Sequence, residues 1–206
     1  CIFGYPTIMS TKNRISAHFE DHISAAQLTH NLLATEIERA IETCINTYNQ
    51  AGKILACGNG GSAADAQHLV AELVGRFERD RRPLAGVALT TDTSILTAVG
   101  NDYGFDQVFA RQVTALGQPG DTLFAISTSG HSPNVRLAID AAHAKGMHVI
   151  AMTGKGGGAM VNMLKPNDVN LCIPHDRTMR IQEMHLMMLH LICDGIDAHI
   201  LGTTPT

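Results

Sequence analysis

The stretch Asp121–Ser132, which reads DTLFAISTSGHS, decides the fold of this chain. Its first half is a short, almost wholly apolar run, which is typical of a strand buried on both faces of a sheet. Its second half is rich in hydroxyl side chains, and the following residues 133–142 carry apolar side chains at helical spacing. A buried strand that leads through a tight turn into a helix is the repeating unit of parallel α/β sheets.

The hydroxyl-rich turn Ser127–Ser132 also indicates a binding site. Such a turn directs side-chain hydroxyls, loop N–H groups and the positive end of a helix dipole at one point, which favours an oxyanion and most often a phosphate. The turn has no P-loop lysine, so it suits holding a phosphate and not cleaving one from a nucleotide. The alternative is an ordinary helix cap, because Ser and Thr favour that position in any helix.

Outward from this unit, short apolar strands alternate with helical segments, which predicts one α/β domain with a five-stranded parallel sheet. Ser10 is predicted to cap a helix of about 20 residues, and a second helix over 35–50 would complete an N-terminal helical hairpin over 10–51. The α/β core would then cover 52–201 of a domain that spans 9–206, with 1–8 as an added extension before Met9. The predicted strands are 53–57, 85–89, 121–127, 148–153 and 168–173, and the predicted helices are 63–77, 93–99, 106–116, 132–145, 158–164 and 179–199.

Composition excludes several classes of protein. With 206 residues, 45% hydrophobic and 17% charged, the chain is long and apolar enough to fold as a globular domain. Its net charge of −4, with no basic cluster beyond Arg79–Arg82, gives no indication of nucleic-acid binding. Five scattered cysteines without C-x-x-C spacing argue against a disulfide framework and indicate a reducing compartment, so we expect a cytoplasmic protein. No apolar run approaches ~18 residues, so no membrane partner is expected.

Three further polar clusters are predicted at the carboxyl edge of the sheet, where α/β proteins bind ligands. They are Gly58–Ser62, Gly100–Asp102 and Thr153–Gly158, and a flexible turn is the simpler interpretation of the last. The first cluster also matches the dinucleotide fingerprint G-x-G-x-x-A. The acidic residues at the confirming distance, Glu78 and Asp80, lie in a charged loop before the next strand and not at its end. Close approach of a small polar ligand explains these glycines equally well.

Two helices carry the candidate chemistry. His68 and Glu72 stand at i and i+4, so they share one helix face and could bind a divalent metal or act as an acid/base pair. An exposed surface pair is the alternative. On the last helix, the stripe Met187–Leu189 suits a core or a subunit interface, and His185 could be a buried histidine.

Two polar residues of the last helix, Gln182 and His190, are eight residues apart, or about 12 Å along a helix axis. Binding one ion with both would require inward-leaning side chains or helices from different subunits. This geometric demand predicts an oligomer.

Four stretches match a known family in order and spacing: CGNGGSAADAQHLVAEL at 57–73, GNDYGF at 100–105, GDTLFAISTSGHSPNV at 120–135 and RIQEMHLMMLH at 180–190. In these stretches the chain resembles the sugar isomerase (SIS) domain family, and within it the branch that isomerises seven-carbon sugar phosphates. The resemblance implies a flavodoxin-like fold and a homotetramer with one zinc ion per subunit. It also implies conversion of sedoheptulose 7-phosphate to D-glycero-D-manno-heptose 7-phosphate through an enediol, for bacterial heptose and lipopolysaccharide core biosynthesis.

The resemblance assigns roles to individual residues. For the reaction that the resemblance implies, Glu72 is the better base, because a carboxylate has two oxygens and can shuttle the proton on one face. His190 would serve the oxygens or ring opening, although a carboxylate fully engaged by zinc is a poorer base. The implied metal ligands are His68, Glu72, Gln182 and His190. The implied substrate contacts are Asn59, Gly60, Gly61, Ser62, Glu72, Asn101, Asp102, Ser127, Thr128, Ser129, Ser132 and Gln182.

A sister branch of the same family supplies the alternative function. Its members are non-catalytic proteins that associate with a replication initiator, and they lack the acidic residue at Glu72 and the histidine at His190. Because this chain keeps both, we favour an enzyme. Two departures from the isomerase pattern remain: His131 stands where Asn is common, and Met179 stands where some members carry an acidic residue.

Overall fold

The sheet confirms the predicted α/β architecture. A computed structural model describes residues 10–202, so the predicted extension 1–8 and the start at Met9 lie outside the described residues. The five strands pair in parallel in the order β2-β1-β3-β4-β5, which is the flavodoxin-like order. Their bounds are β1 Ile54–Gly58, β2 Gly86–Ala88, β3 Thr122–Ser127, β4 His148–Gly154 and β5 Val169–Ile173.

Helices cover both faces of the sheet because alternate strand residues are apolar on both sides. Ile54, Phe124 and Ile150 point to the core formed with α1, α2 and α6, whereas Leu55 and Leu123 point to the opposite core with α4 and α5. The helices are α1 Thr11–Asn49, α2 Gly61–Val74, α3 Thr93–Tyr103, α4 Ala110–Leu116, α5 Pro133–Ala144 and α6 Thr178–Leu201.

The predicted N-terminal hairpin is wrong, because α1 is one continuous helix of 39 residues. Thr35, interpreted as the start of a second helix, lies inside α1, and neither Gly nor Pro occurs near it to end the first one. The buried side chains of α1 recur at spacings of three and four, so a single stripe packs against the core along most of the helix. Ser10 does cap α1, since its Oγ accepts a hydrogen bond from the Asn13 N–H at 3.2 Å.

Three other helix predictions need correction. The helix predicted to end at Val99 continues to Tyr103, and the one predicted over 106–116 consists of a 3₁₀ turn at Phe105–Gln107 followed by α4. The helix predicted over 158–164 is absent from the described fold. Short 3₁₀ turns at Lys155–Gly157 and Val161–Met163 replace it, because three consecutive glycines take positive φ angles that interrupt a helix.

Helix α6 is the one helix within residues 10–202 that is long and apolar enough to cross a membrane by length and composition alone. It packs on α1, α2 and the sheet, and Met188 and Leu189 of its apolar stripe are buried in that core. Its buried positions also include Arg180 and Asp197, each in an ion pair. This burial pattern is that of a core helix and not of a lipid-facing one.

Candidate active site

The order of the strands reverses between β1 and β3, and this point defines a crevice at the carboxyl edge of the sheet. β1 and β3 pair in register up to Gly58 and Ile126, so the loops that follow them are neighbours. One is the glycine loop, residues 58–61, and the other is the hydroxyl loop, residues 127–132. The structure therefore brings together two polar clusters that are about 70 residues apart in the sequence.

The hydroxyl loop places several side-chain hydroxyls close to the N-terminus of α5. Ser132 is the N-cap residue of α5, but its side chain makes no capping hydrogen bond. Its Oγ lies 2.9 Å from the Oγ of Ser127, and the Oγ of Ser129 accepts a hydrogen bond from the His131 N–H at 3.2 Å. Thr128 and Ser129 are half-buried. The Ser127 and Ser132 hydroxyls thus face each other beside a helix N-terminus, a geometry that could hold an oxyanion, and the anion site stays a prediction.

The Thr153–Gly158 segment packs against the hydroxyl loop at Gly130. Gly130 approaches the Gly157 carbonyl so closely that a Cβ there would overlap it, and the Met160 N–H donates to the Gly130 carbonyl at 3.0 Å. The segment interpreted from sequence as a flexible turn is thus packed against the loop that it positions.

An amide pair joins the glycine loop to α5. The side-chain amides of Asn59 and Asn134 each donate from Nδ2 to the Oδ1 of the other at 2.9 Å. The Oδ1 of Asn134 also accepts from the Val135 N–H at 3.0 Å. The sequence predicted Asn59 but not Asn134, whose only signal is a polar residue at the start of a helix. The Oδ1 of Asn59 is occupied in this pair. A substrate could therefore contact the second N–H of the Asn59 side-chain amide or the backbone of the loop.

The glycine loop also receives a residue from α6. A Cβ at Gly61 would overlap the Gln182 amide, so glycine leaves room there for this side chain. Gln182 therefore lies at the N-terminal end of α2, against the predicted substrate residue Gly61. Ser62, in the first turn of α2, is buried.

Three predicted site residues meet farther along α2. The Nε2 of His68 lies 2.9 Å from the Nε2 of His190 and 3.4 Å from the Oε1 of Glu72. The Phe77 ring lies 5.6 Å from the His190 ring and covers one side of the pair. Glu72 is mostly shielded, with 22% of its side chain exposed, whereas His68 is more open at 40%. The cluster offers two imidazoles and one carboxylate between α2 and α6.

The contacts between α2 and α6 follow the same order along both helices. Gln182 meets Gly61 at the start of α2, and His190 meets His68 about two turns later. The helices therefore run side by side in the same direction. His190 reaches His68 within one chain, whereas Gln182 contacts α2 about 10 Å from that pair along the axis.

The donor set fits zinc, although a metal would need a small adjustment. Two Zn–N bonds at a tetrahedral angle separate their nitrogens by about 3.3 Å, slightly more than the His68 to His190 distance. Within residues 10–202, no three His, Cys, Asp or Glu side chains are already arranged as a metal cage. The four-residue ligand set His68, Glu72, Gln182 and His190 stays a prediction.

Two titratable groups on α2 and α6, the half-buried Asp65 and the buried His185, have shifted pKa values. Burial raises the pKa of Asp65, one turn before His68, to about 6, and its Oδ2 has no hydrogen-bond partner. His185 lies in the core, where its Nε2 donates to the Thr153 carbonyl at 3.1 Å. Burial lowers the pKa of His185 to about 4, so this histidine is neutral and structural.

The positions of Asn101 and Asp102 differ most from those predicted from the sequence. They lie in the last turn of α3 and not in a loop after a strand. Both are exposed, and the Asn101 amide donates to Asp102 at 2.8 Å. None of the residues of α3 is buried, so within one described chain these two side chains face solvent.

Comparison with known proteins agrees with this architecture. The SIS domain model matches residues 18–154. A phosphoheptose isomerase from Bordetella avium is 62% identical over 95% of this chain and 100% of its own length. The chain belongs to the phosphoheptose isomerase family.

Solved structures in this family have the same fold. A phosphoheptose isomerase from Neisseria gonorrhoeae superposes with a TM-score of 0.88 at 53% identity, covering 92% of this chain and 100% of that one. A phosphoheptose isomerase from Francisella tularensis gives a TM-score of 0.89 at 44% identity over 92% of this chain and 99% of that one. These two relatives therefore share the fold of this chain over nearly their whole length.

Proposed function

We propose that this protein converts sedoheptulose 7-phosphate to D-glycero-D-manno-heptose 7-phosphate, for bacterial heptose and lipopolysaccharide core biosynthesis. The observation that carries this proposal is that one chain holds both the His68, Glu72 and His190 cluster, between α2 and α6, and a hydroxyl loop at the switch point of the sheet. One part supplies proton-transfer groups, and the other supplies a phosphate site. Family membership at 62% identity agrees with it.

The phosphate end of the substrate would bind at the hydroxyl loop. Ser127, Thr128, Ser129 and Ser132 offer hydroxyl donors, and the N-terminus of α5 adds a favourable dipole. No lysine or arginine is needed for this, because several neutral donors can hold a phosphate against a helix terminus. The loop would anchor the substrate and direct its keto end toward α2.

Glu72 would act as the base. Conversion of a 2-ketose to an aldose removes a proton from C1, forms an enediol and returns a proton to C2. A carboxylate with two oxygens can serve both carbons on one face, and the partial burial of Glu72 keeps water away from that transfer. The carbonyl oxygen at C2 gains a proton while the C1 hydroxyl loses one, so the overall reaction only relocates hydrogens.

His190 would move protons between the substrate oxygens. Its Nε2 hydrogen-bonds to the Nε2 of His68, so one ring must present an N–H and the other a lone pair. This pairing fixes the tautomer of each ring relative to the other. His190 can thus exchange a proton at one oxygen while His68 holds its orientation.

We further propose one zinc ion per subunit, held by His68, Glu72 and His190. Gln182 as the fourth ligand would have to come from another subunit, because within one chain it contacts Gly61 at the start of α2. When bound there, zinc would supply Lewis-acid stabilisation of the enediolate oxygens. What supports the assignment is the mixed imidazole and carboxylate donor set, which borderline-soft zinc prefers.

We also propose a cytoplasmic homotetramer. The support is the apolar surface that one chain leaves exposed: Ile15, Phe19 and Ile23 recur every four residues along α1, and Met187 is exposed on α6. Helix α3, which buries none of its residues, would pack against another subunit and enclose Asn101 and Asp102.

The test is incubation of purified protein with sedoheptulose 7-phosphate, with NMR detection of the aldose product. The control substrate is dephosphorylated sedoheptulose, which lacks the group that the hydroxyl loop binds. We expect steady formation of heptose 7-phosphate and little conversion of the control. If zinc-loaded protein forms no aldose, the proposal is refuted. The alternative, a non-catalytic protein that binds a protein partner, would then be favoured.

A further inference from the structure

Arg81 lies outside the crevice, yet its guanidinium joins the two helices that carry the site. It follows α2 in the chain, in the loop that leads to β2, and only 1% of its side chain is exposed. Its Nη2 donates to the Glu72 carbonyl at 2.7 Å, and its Nη1 donates to the Leu73 carbonyl at 2.8 Å. Its Nε donates to the Oδ1 of Asp197 on α6 at 2.6 Å.

These bonds close the C-terminal end of α2. The last carbonyls of a helix have no partner within the helix, and a cation at that end interacts favourably with the helix dipole. Arg81 supplies both the donors and the charge, at the turn that includes Glu72. Its planar guanidinium makes the hydrogen bonds to the two carbonyls and to the carboxylate at the same time. The single ammonium of lysine cannot reach all three acceptors.

The partner carboxylate lies on the catalytic face of α6. Asp197 follows His190 by seven residues, or about two turns, so the two side chains share one side of the helix. Asp197 is buried, and its Oδ2 has no hydrogen-bond partner. Its ion pair with Arg81 therefore fixes the spacing of α6 from the end of α2, two turns beyond the His68 to His190 contact.

We propose that Arg81 and Asp197 form a positioning pair that holds Glu72 on α2 against His190 on α6. The contact order along the two helices supports this role: Gly61 with Gln182, His68 with His190, and then the end of α2 with Asp197 through Arg81. The pair is the last of three connections and the only ionic one of these three. A misplacement of about 1 Å between reacting groups costs on the order of 100-fold in rate, so such a connection matters to catalysis.

The test is Arg81→Lys, which keeps the charge but loses the three-way fork. This inference rests on the proposed isomerase activity, so kcat and KM for sedoheptulose 7-phosphate are measured first on the wild type. We expect kcat of Arg81→Lys to fall about 10- to 100-fold. KM should change less than about threefold, because the hydroxyl loop after β3 is untouched. Asp197→Asn should show the same kcat-selective loss.

Two control variants separate positioning from stability. Arg79→Ala removes a neighbouring arginine that donates to the backbone carbonyls of Asp197 and Gly202, without contact to the end of α2. It should keep the wild-type kcat. Ile139→Val trims the opposite core and should lower Tm while leaving kcat unchanged.

A second readout does not depend on turnover. The ring ¹⁵N chemical shifts of His68 and His190 report the hydrogen bond between them, and in metal-free protein they should change in Arg81→Lys but not in Arg79→Ala. Wild-type kcat together with wild-type ring shifts in Arg81→Lys would overturn the positioning role. An inactive wild type would instead refute the proposed function, and the ring shifts would still decide the role of Arg81.

Discussion

The Nε2 atoms of His68 and His190 lie 2.9 Å apart, although 122 residues separate the two histidines in the chain. They meet because α2 and α6 run side by side in the same direction. A single subunit therefore assembles the two imidazoles and Glu72 without help from a partner. In the proposed homotetramer, a second subunit would bury α3 and the apolar face of α1.

The metal assignment predicts a specific pattern of zinc loss. His68→Ala and His190→Ala should each lower the zinc content of purified protein, which should reach about one ion per subunit in the wild type, because zinc depends on its imidazole ligands. Gln182→Ala should lower it less, since an amide oxygen is a weaker ligand. Metal analysis by atomic emission measures this, together with activity before and after chelation and zinc restoration.

His30→Ala is the matched control for that series, because His30 is exposed on α1 and makes no hydrogen bond to the described residues of the cluster. It should retain full zinc and full activity. If His68→Ala and His190→Ala keep wild-type zinc content, the cluster acts as an acid/base group only.

The hydroxyl loop predicts a phosphate-dependent loss of affinity. Ser129→Ala and Ser132→Ala each remove a hydroxyl donor to a charged group, worth roughly 1.5–3 kcal/mol, so substrate should bind about 10- to 100-fold more weakly. Calorimetric titration with sedoheptulose 7-phosphate measures the change. Dephosphorylated sedoheptulose should bind wild type and variants alike, and a variant that loses affinity for both ligands equally would contradict the phosphate assignment.

The contact between Gly61 and Gln182 predicts that a single methyl group disturbs the site. In Gly61→Ala the new Cβ would overlap the Gln182 amide, so Gln182 must leave the glycine loop. We expect activity to fall at least several-fold while Tm changes little, since the displaced atoms end a flexible side chain. Gly86→Ala in β2 is the control, because its Cβ would lie 3.5 Å from Val70, an ordinary contact. Equal activity of the two variants would refute a role for Gln182 in the site.

The lowered pKa of the buried His185 predicts how the stability of the protein depends on pH. Burial lowers its pKa from 6.5 to about 4, so the unfolded chain binds more protons between these values. Its stabilising contribution is complete above pH 6.5 and is lost as pH falls toward 4. Between pH 7 and pH 5 the wild type should lose about 2 kcal/mol of unfolding free energy relative to His185→Leu. Urea unfolding at both pH values measures this, and a pH-independent difference between the proteins would show that His185 titrates normally.

Most of the fold could be predicted from sequence because the strands are short, apolar and separated by helical patterns. The errors occurred where local signals competed with long-range packing. Thr35 resembles a helix start, but the buried stripe of α1 continues through it. The glycines after β4 resemble a loop before a helix, whereas their backbone follows the shape of the hydroxyl loop that they support.

The site was predictable only where its residues are close in sequence. The i, i+4 spacing indicated His68 with Glu72, and the Ser127–Ser132 turn indicated the anion site. Asn134 and Arg81 act through residues far away in the chain, so no spacing reveals them. The resemblance to the SIS family, and not periodicity, linked His190 to the cluster.

The proposed mechanism depends most on Glu72 as the base, and its most direct test is kcat of zinc-loaded Glu72→Gln beside wild type on sedoheptulose 7-phosphate. Glutamine keeps the volume of the side chain and leaves the backbone carbonyl bonded to Arg81, so circular dichroism and oligomer size should not change. We predict that kcat falls about 10²- to 10⁴-fold, the scale for loss of a general base. A variant that retains the wild-type kcat would contradict the account.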